Sequence, residues 1–172
     1  MKFKLPLMLF GALLSSLAHA GGTPEFVALP DAYNTQINYM TQNRVGQEQI
    51  AKIYTSENLL QAIATEQPVP EGGTIVMEVY APKRDRYENP VKGTGGNYLI
   101  DHLAGIQVME YRSEWPPEMD EKQRSGNWGF ALYSPEGKPM ANEQDCAACH
   151  WQLRRVNHMF TTVPMKNHIL GR

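Results

Sequence analysis

One short motif near the C-terminus constrains this chain more than any other feature of its sequence. The two cysteines, Cys146 and Cys149, are separated by two alanines, and His150 follows directly. On a helix the two thiols lie one turn apart, so both can add to the vinyl groups of one haem while the adjacent imidazole turns onto the iron. The motif therefore predicts a single, covalently attached haem c, with His150 as an axial ligand.

A redox-active or structural disulfide is the alternative explanation for two cysteines at this spacing. Thioredoxin-type sites of this kind lie between a strand and a helix of a βαβ unit. Here the motif lies late, with only Trp151 to Arg172 after it. An exported protein held together by disulfides normally has more than two cysteines. Haem attachment is therefore the favoured interpretation.

The first twenty residues have the pattern of a cleaved export signal. Lys2 and Lys4 precede an apolar stretch from Leu5 to Leu17, and Ala18-His19-Ala20 has the small-x-small form of a signal-peptidase site. The stretch is shorter than the roughly 20 residues of a membrane-spanning helix, and no later segment replaces it. We expect residues 1–20 to be removed and residues 21–172 to form one periplasmic domain without a membrane span.

The charge of the expected mature chain narrows the choice of partner. Removal of 20 of the 172 residues leaves 152 residues with a formal charge of −4, enough chain to bury a core around a cofactor. A net negative charge does not favour binding to a nucleic acid or to an anionic membrane. The partner expected for an exported haem protein is another redox protein, whose identity the sequence does not give.

Hydrophobic periodicity predicts helices first and strands afterwards. From Asp31 to Gln67 the apolar positions are spaced more like a helix than a strand, and Ser56 with Glu57 resembles a helix start. This half is predicted to form two or three helices, ending before Pro68. Strands are predicted over Thr74 to Tyr80, Leu99 to Tyr111 and Trp128 to Tyr133.

The order of these elements predicts an α+β fold. N-terminal helices would pack on an antiparallel sheet, and a C-terminal helix would carry the haem motif onward through His158. In the first predicted strand Met77 shares a face with Ile75 and Val79, because side chains alternate along a strand. A four-helix cytochrome bundle has no room for the strand region.

With these elements placed, most of the mature length resembles the cytochrome P-460 and cytochrome c′-beta family. The resemblance rests on four blocks: Glu71-Gly72-Gly73-Thr74 with the strand through Tyr80, Gly126-Asn127-Trp128-Gly129-Phe130 with Tyr133, Asp145 to His150, and Met159-Phe160-Thr161. The resemblance implies an antiparallel sheet of about five strands, a homodimer, and a haem lying against the sheet with a mostly apolar distal side.

The resemblance also implies a division by the residue that the sheet presents to the haem. In the P-460 branch a strand lysine bonds to the macrocycle and the iron oxidises hydroxylamine, whereas in the c′-beta branch a five-coordinate iron binds nitric oxide. The lysine position falls on Met77 here. A distal arginine of the oxidising branch falls on Ala51, and a carboxylate before the motif falls on Gln144. These three departures argue against hydroxylamine oxidation.

Two interpretations of Met77 follow. As a second axial ligand opposite His150 it would give a closed, low-spin iron suited to electron transfer; as an ordinary core methionine it would leave the iron open to nitric oxide. Met140, Met159 and Met165 are weaker candidates for the ligand, and His102 and His158 are expected to be surface or satisfied histidines. The leading hypothesis is an electron carrier, then a nitric oxide binding protein, and last a hydroxylamine oxidoreductase.

Overall fold

The computed structural model describes residues 24–141 and 145–172, and it has an α+β architecture built on one antiparallel sheet. The strands are β1 (Ile37–Arg44), β2 (Gln49–Thr55), β3 (Thr74–Pro82), β4 (Ile100–Tyr111), β5 (Arg124–Ser125), β6 (Trp128–Tyr133) and β7 (Pro139–Met140). The helices are α1 (Glu57–Ala64), α2 (Cys146–Trp151) and α3 (Thr162–Ile169). The predicted fold class is thus confirmed. The expected leader, residues 1–20, lies outside the described residues.

The strands are ordered β1-β2-β3-β4-β6-β5, with β7 paired to β6. Five of them have six or more residues, in agreement with the expected sheet of about five strands, while β5 and β7 have two residues each. Among the described residues no helix is long and apolar enough to cross a membrane.

The helical prediction for Asp31 to Gln67 is correct only for its last part. Ser56 caps α1 as expected, since its side chain accepts a hydrogen bond from the backbone N–H of Leu59. The residues before it form β1 and β2 instead of helices. Strand β2 is covered on both faces and β1 contains a register shift at Asn38 and Met40. Both features remove the simple alternation that identifies a strand in a sequence.

The helix that carries the motif is also shorter than predicted. It ends at Trp151, and a 3-10 turn follows over Arg154–Val156. Asn157 and His158 then adopt left-handed backbone conformations, with φ of 56° and 60°. A left-handed pair cannot continue a right-handed helix, so the chain turns back toward the sheet at this point.

The two faces of the sheet pack against different parts of the chain. One face carries the larger core, which includes Ile53, Ile75, Met109 and Phe130 together with residues of the three helices. The other face carries a smaller core that the N-terminal segment closes through Val27. The haem motif therefore lies on the face that the helices share.

A buried carboxylate lies on the face opposite the helices. Glu78 is only 7% exposed, and its carboxylate accepts hydrogen bonds from the hydroxyls of Tyr33, Tyr54 and Tyr80 at 2.8 to 3.0 Å. Burial, with the bond to Glu78 next in size, raises the pKa of Tyr54 to about 12, and it raises the pKa values of Tyr33 and Tyr80 as well. The three hydroxyls therefore stay protonated and remain donors.

Candidate haem site

Local capping positions the two cysteines and the histidine on α2. The side chain of Asp145 accepts a hydrogen bond from the N–H of Ala148 at 2.8 Å, as a helix N-cap does. Ala147 is 3% exposed and anchors the helix in the core, where α2 contacts β5 and β6. Cys146, Cys149 and His150 all line one cavity as a result.

That cavity has a volume of about 640 Å³ and lies between α2, the segment after it, and the larger core face of the sheet. Its size falls within the roughly 300–1,000 Å³ of sites that hold a large cofactor. The sheet contributes a row of register partners that crosses four strands, Ile53, Met77, Gln107 and Leu132. Phe130, Met109 and Ile75 form the next row.

The imidazole of His150 is held in the orientation and tautomer that an iron ligand needs. Its Nδ1 lies 2.7 Å from the backbone carbonyl oxygen of His158. A carbonyl can only accept, so Nδ1 carries the proton and Nε2 keeps its lone pair for a metal. Phe130 and Phe160 enclose the ring, with centroids 4.8 and 5.1 Å away. Burial lowers the pKa of His150, which also favours the neutral form.

His158 supports His150 through its backbone, a role that the sequence analysis missed. Its own ring is a satisfied histidine, since Nδ1 lies 2.7 Å from the hydroxyl of Ser125. Its Nε2 lies against Gly126, where an added Cβ would approach to 2.7 Å, and the φ of +58° at that position also favours glycine. The left-handed Asn157 and His158 turn the carbonyl of His158 toward His150.

Met77 lies where the predicted strand places it. It is half-buried on β3, packs against the larger core and lines the same cavity as His150. Its register partners are Ile53 on β2 and Gln107 on β4. Gln107 pairs in turn with Leu132 on β6, which is two strands away from Met77. Phe130, which contacts His150, lies on β6 in the adjacent row. Met77 therefore reaches the cavity from the sheet, whereas His150 reaches it from α2.

The other methionines divide into two groups. Met109 and Met159 line the cavity, whereas Met140 is 40% exposed on β7 and Met165 is fully buried without lining it. Met109 is a cavity residue that the sequence analysis did not single out. Its place follows from pairing with Ile75 on β3 and Phe130 on β6, and no local sequence signal specifies such long-range pairs.

The other predicted positions lie away from the motif or outside the described residues. Ala51 is fully buried on β2 beside Gln42 of β1, so the position expected for a distal arginine carries no polar side chain. Gln144 lies outside the described residues. His102 is exposed and lies 2.7 Å from a carboxylate oxygen of Asp101.

One end of the cavity is polar. Gln42, Arg44 and Gln47, from β1 and the turn after it, line the cavity there. Arg44 is half-buried, and its guanidinium donates a hydrogen bond of 3.0 Å to the side chain of Gln49. Burial lowers the pKa of Arg44, although arginine stays charged. A partly desolvated guanidinium of this kind suits a carboxylate.

The residues present fit a haem. Two thiols lie one helical turn apart, an imidazole nitrogen is kept free for a metal, the walls are largely apolar, and a guanidinium lies on the strand at the far edge of the sheet from α2. Among the described residues, no group of three or more His, Cys, Asp and Glu side chains is arranged as a metal site by itself.

Comparison with known proteins agrees with this chemistry. No curated protein matches the chain. A family match, to Cytochrome P460, covers residues 30–161, a span that contains the sheet, the cavity strands and the Cys-x-x-Cys-His motif. A match over most of the chain, on a fold of the expected class with a cavity that fits a haem, shows that the chain belongs to the cytochrome P460 family.

Proposed function

We propose that this protein is a periplasmic electron-transfer cytochrome with one haem c, attached through Cys146 and Cys149 and ligated by His150 and Met77. The observation that carries the proposal is the cavity that His150 and Met77 both line, where His150 Nδ1 is already bonded to a carbonyl. The haem supplies an iron that exchanges one electron. We further propose that the mature protein, residues 21–172, is a homodimer.

Each residue has a separate task in this proposal. Cys146 and Cys149 would hold the haem by thioether bonds, and His150 would donate its Nε2 lone pair to the iron. The bond from Nδ1 to the His158 carbonyl fixes the ring plane and makes the imidazole more basic. Phe130 and Phe160 limit the access of water to the imidazole.

Met77 determines whether the iron exchanges electrons or binds gases. A thioether is a soft, neutral donor that suits haem iron and raises its reduction potential. It has no proton to lose, so ligation by Met77 adds no pH-dependent step of its own. With Met77 bound, the iron would be closed to small molecules and suited to the exchange of electrons.

Optical spectra of the purified holoprotein test this proposal. We expect low-spin spectra in both oxidation states, the charge-transfer band from thioether sulfur to ferric iron, and little binding of carbon monoxide by the reduced protein. The opposite result, a high-spin spectrum with immediate carbon monoxide binding, excludes tight ligation by Met77.

Nitric oxide binding is the second candidate function, and the apolar wall of the cavity favours it. Ile53 and Ile75 flank Met77 on the cavity side of the sheet. Aliphatic groups of this kind can cap an open iron if the sulfur of Met77 is not bound. Hydroxylamine oxidation is the third candidate and needs a cross-linking nucleophile other than Met77. Haem that stays with the Cys146→Ala/Cys149→Ala variant through acidified-solvent extraction, seen in the mass of the intact protein, would reveal such a cross-link.

Arg44 is placed to bind the carboxylates of the haem. Cys146 and Cys149 would hold the haem from α2, beside β6, and its carboxylates would then reach the other end of the cavity. Arg44 lies on β1, four strand spacings of about 4.8 Å from β6. Among the described residues that line the cavity, it is the only lysine or arginine.

Replacing this guanidinium should make the haem easier to oxidise. We expect Arg44→Gln to lower the reduction potential, because a lost positive charge favours the ferric state. A change of threefold to tenfold in the equilibrium constant of a one-electron couple is about 30–60 mV, and spectroelectrochemical titration measures it. Lys52→Gln is the matched control, since Lys52 lies on the opposite face with its ammonium 5.0 Å from the Tyr80 ring. Equal shifts in both variants would contradict a direct contact.

A further inference from the structure

The chain segment that carries the haem motif differs in charge from the rest of the described chain, although its Lys166 pairs with Glu66. Residues 145–172 contain four Lys and Arg residues and one acidic residue, which gives a formal charge of +3. Residues 24–141 contain ten basic and sixteen acidic residues, a formal charge of −6. An acidic protein thus carries a basic segment where its cofactor is attached.

Exposed apolar and basic residues follow one another in the chain after the motif. Cys149 is exposed, Trp151 is 53% exposed and Val156 is 45% exposed. Arg154 and Arg155 lie between them in the chain and are also exposed. We call Cys149, Trp151, Arg154, Arg155 and Val156 the attachment face.

His158 lies beside this face. The ring of Trp151 lies 5.7 Å from the ring of His158. Neither Arg154 nor Arg155 forms an ion pair with a carboxylate of the described residues. Both charges therefore remain directed at the solvent.

We infer that the attachment face is the docking surface for an acidic redox protein, which exchanges electrons with the haem edge beside Cys149. The inference rests on the proposed electron-transfer function and deepens it by naming the surface and the charge of the partner. Apolar Trp151 and Val156 supply contact area, while Arg154 and Arg155 orient the encounter. Interfaces of this kind combine an apolar centre with a complementary charged rim.

A second copy of the chain is a poorer occupant of this face. In a two-fold symmetric dimer the same patch meets itself. Arg154 and Arg155 would then face the same arginines of the other copy, and like charges at close range are unfavourable. An acidic partner satisfies these charges instead.

The sign of the salt effect on a small anionic oxidant tests the inference. The reduced holoprotein is mixed with ferricyanide in a stopped-flow instrument while the ionic strength is raised. The Debye length falls from about 30 Å at 0.01 M salt to about 10 Å at 0.1 M. If the net charge governs the encounter, the rate rises as repulsion is screened. If the attachment face governs it, the rate falls, and that is the expected result.

Replacing the two arginines tests whether the attachment face causes the salt dependence of the oxidation rate. At low salt we expect Arg154→Gln/Arg155→Gln to slow oxidation by ferricyanide roughly threefold to tenfold. Oxidation by the cationic tris(phenanthroline)cobalt(III) should become faster. The control Lys83→Gln/Arg86→Gln removes two exposed charges from the loop after β3, outside the cavity lining, and should change neither rate as much.

Three results would overturn the inference. They are a ferricyanide rate that rises with salt, equal effects of the two double variants, and a dimer dissociation constant that Arg154→Gln/Arg155→Gln changes in sedimentation. The last result would make the face a contact between copies. None of the three alters the optical spectrum, so the His150 and Met77 ligation is judged separately.

Discussion

Met77→Leu is expected to convert the closed, low-spin iron into one that binds carbon monoxide readily. Leucine has a similar volume, and such swaps usually cost less than about 1.5 kcal/mol of stability. It has no lone pair for the iron, so a coordination position that Met77 fills would open. The ferric charge-transfer band should disappear, and reduced protein titrated with carbon monoxide should change from little binding to saturation.

Met109→Leu is the matched control for this change. Met109 is 8% exposed and lines the same cavity from β4, so its replacement perturbs the packing of the same walls. It should leave the spin state and the carbon monoxide titration unaltered. If Met77→Leu behaves like wild type, Met77 is a packing residue, and nitric oxide binding becomes the better proposal.

Removal of both thiols should have the second large effect, loss of covalently bound haem. Wild-type haem should stay with the polypeptide through acidified-solvent extraction, because thioether bonds survive unfolding. The Cys146→Ala/Cys149→Ala variant can hold haem only through axial ligands and packing, so extraction should remove all of it. Haem staining of denaturing gels and the mass of the intact protein measure the difference.

Single replacements and a neighbouring substitution complete this test. Cys146→Ala and Cys149→Ala should each retain one thioether bond and shift the pyridine haemochrome spectrum toward that of a haem with one vinyl group. Ala148→Ser changes an exposed residue within the motif and keeps both thiols, so attachment should persist. Complete extraction of haem from the wild type would refute covalent attachment.

Local signals in the sequence predict the helix start and the strands whose structure depends little on distant parts of the chain. The Ser56 cap, the strand from Thr74 and the strand over Trp128–Tyr133 are all present. The sequence predicts helices in place of the two N-terminal strands because β2 is covered on both faces and β1 is irregular. What decides their structure is the pairing of β1 with β2 and of β2 with β3, and the second of these is a long-range interaction that a window of sequence does not contain.

The candidate site was predictable in part for the same reason. Cys146, Cys149 and His150 are adjacent in the chain, and the strand period together with the family resemblance directed attention to Met77. Met109 and Arg44 reach the cavity only because the strands pair in one register. The carbonyl of His158 faces His150 because Asn157 and His158 have left-handed backbone conformations. The sequence predicts a continuous helix here, and such a helix contains no left-handed residues.

The tyrosine hydroxyls around Glu78 also help to set the register of β3, and with it the side chain that faces the cavity on the other side of the sheet. Because neighbouring side chains in a strand point in opposite directions, a slip of β3 by one position would exchange the sulfur of Met77 for a carboxylate. It would also leave Tyr33, Tyr54 and Tyr80 without the acceptor that they share. Three donors at the back of the sheet thus place a thioether, and not an anion, on the cavity side of β3.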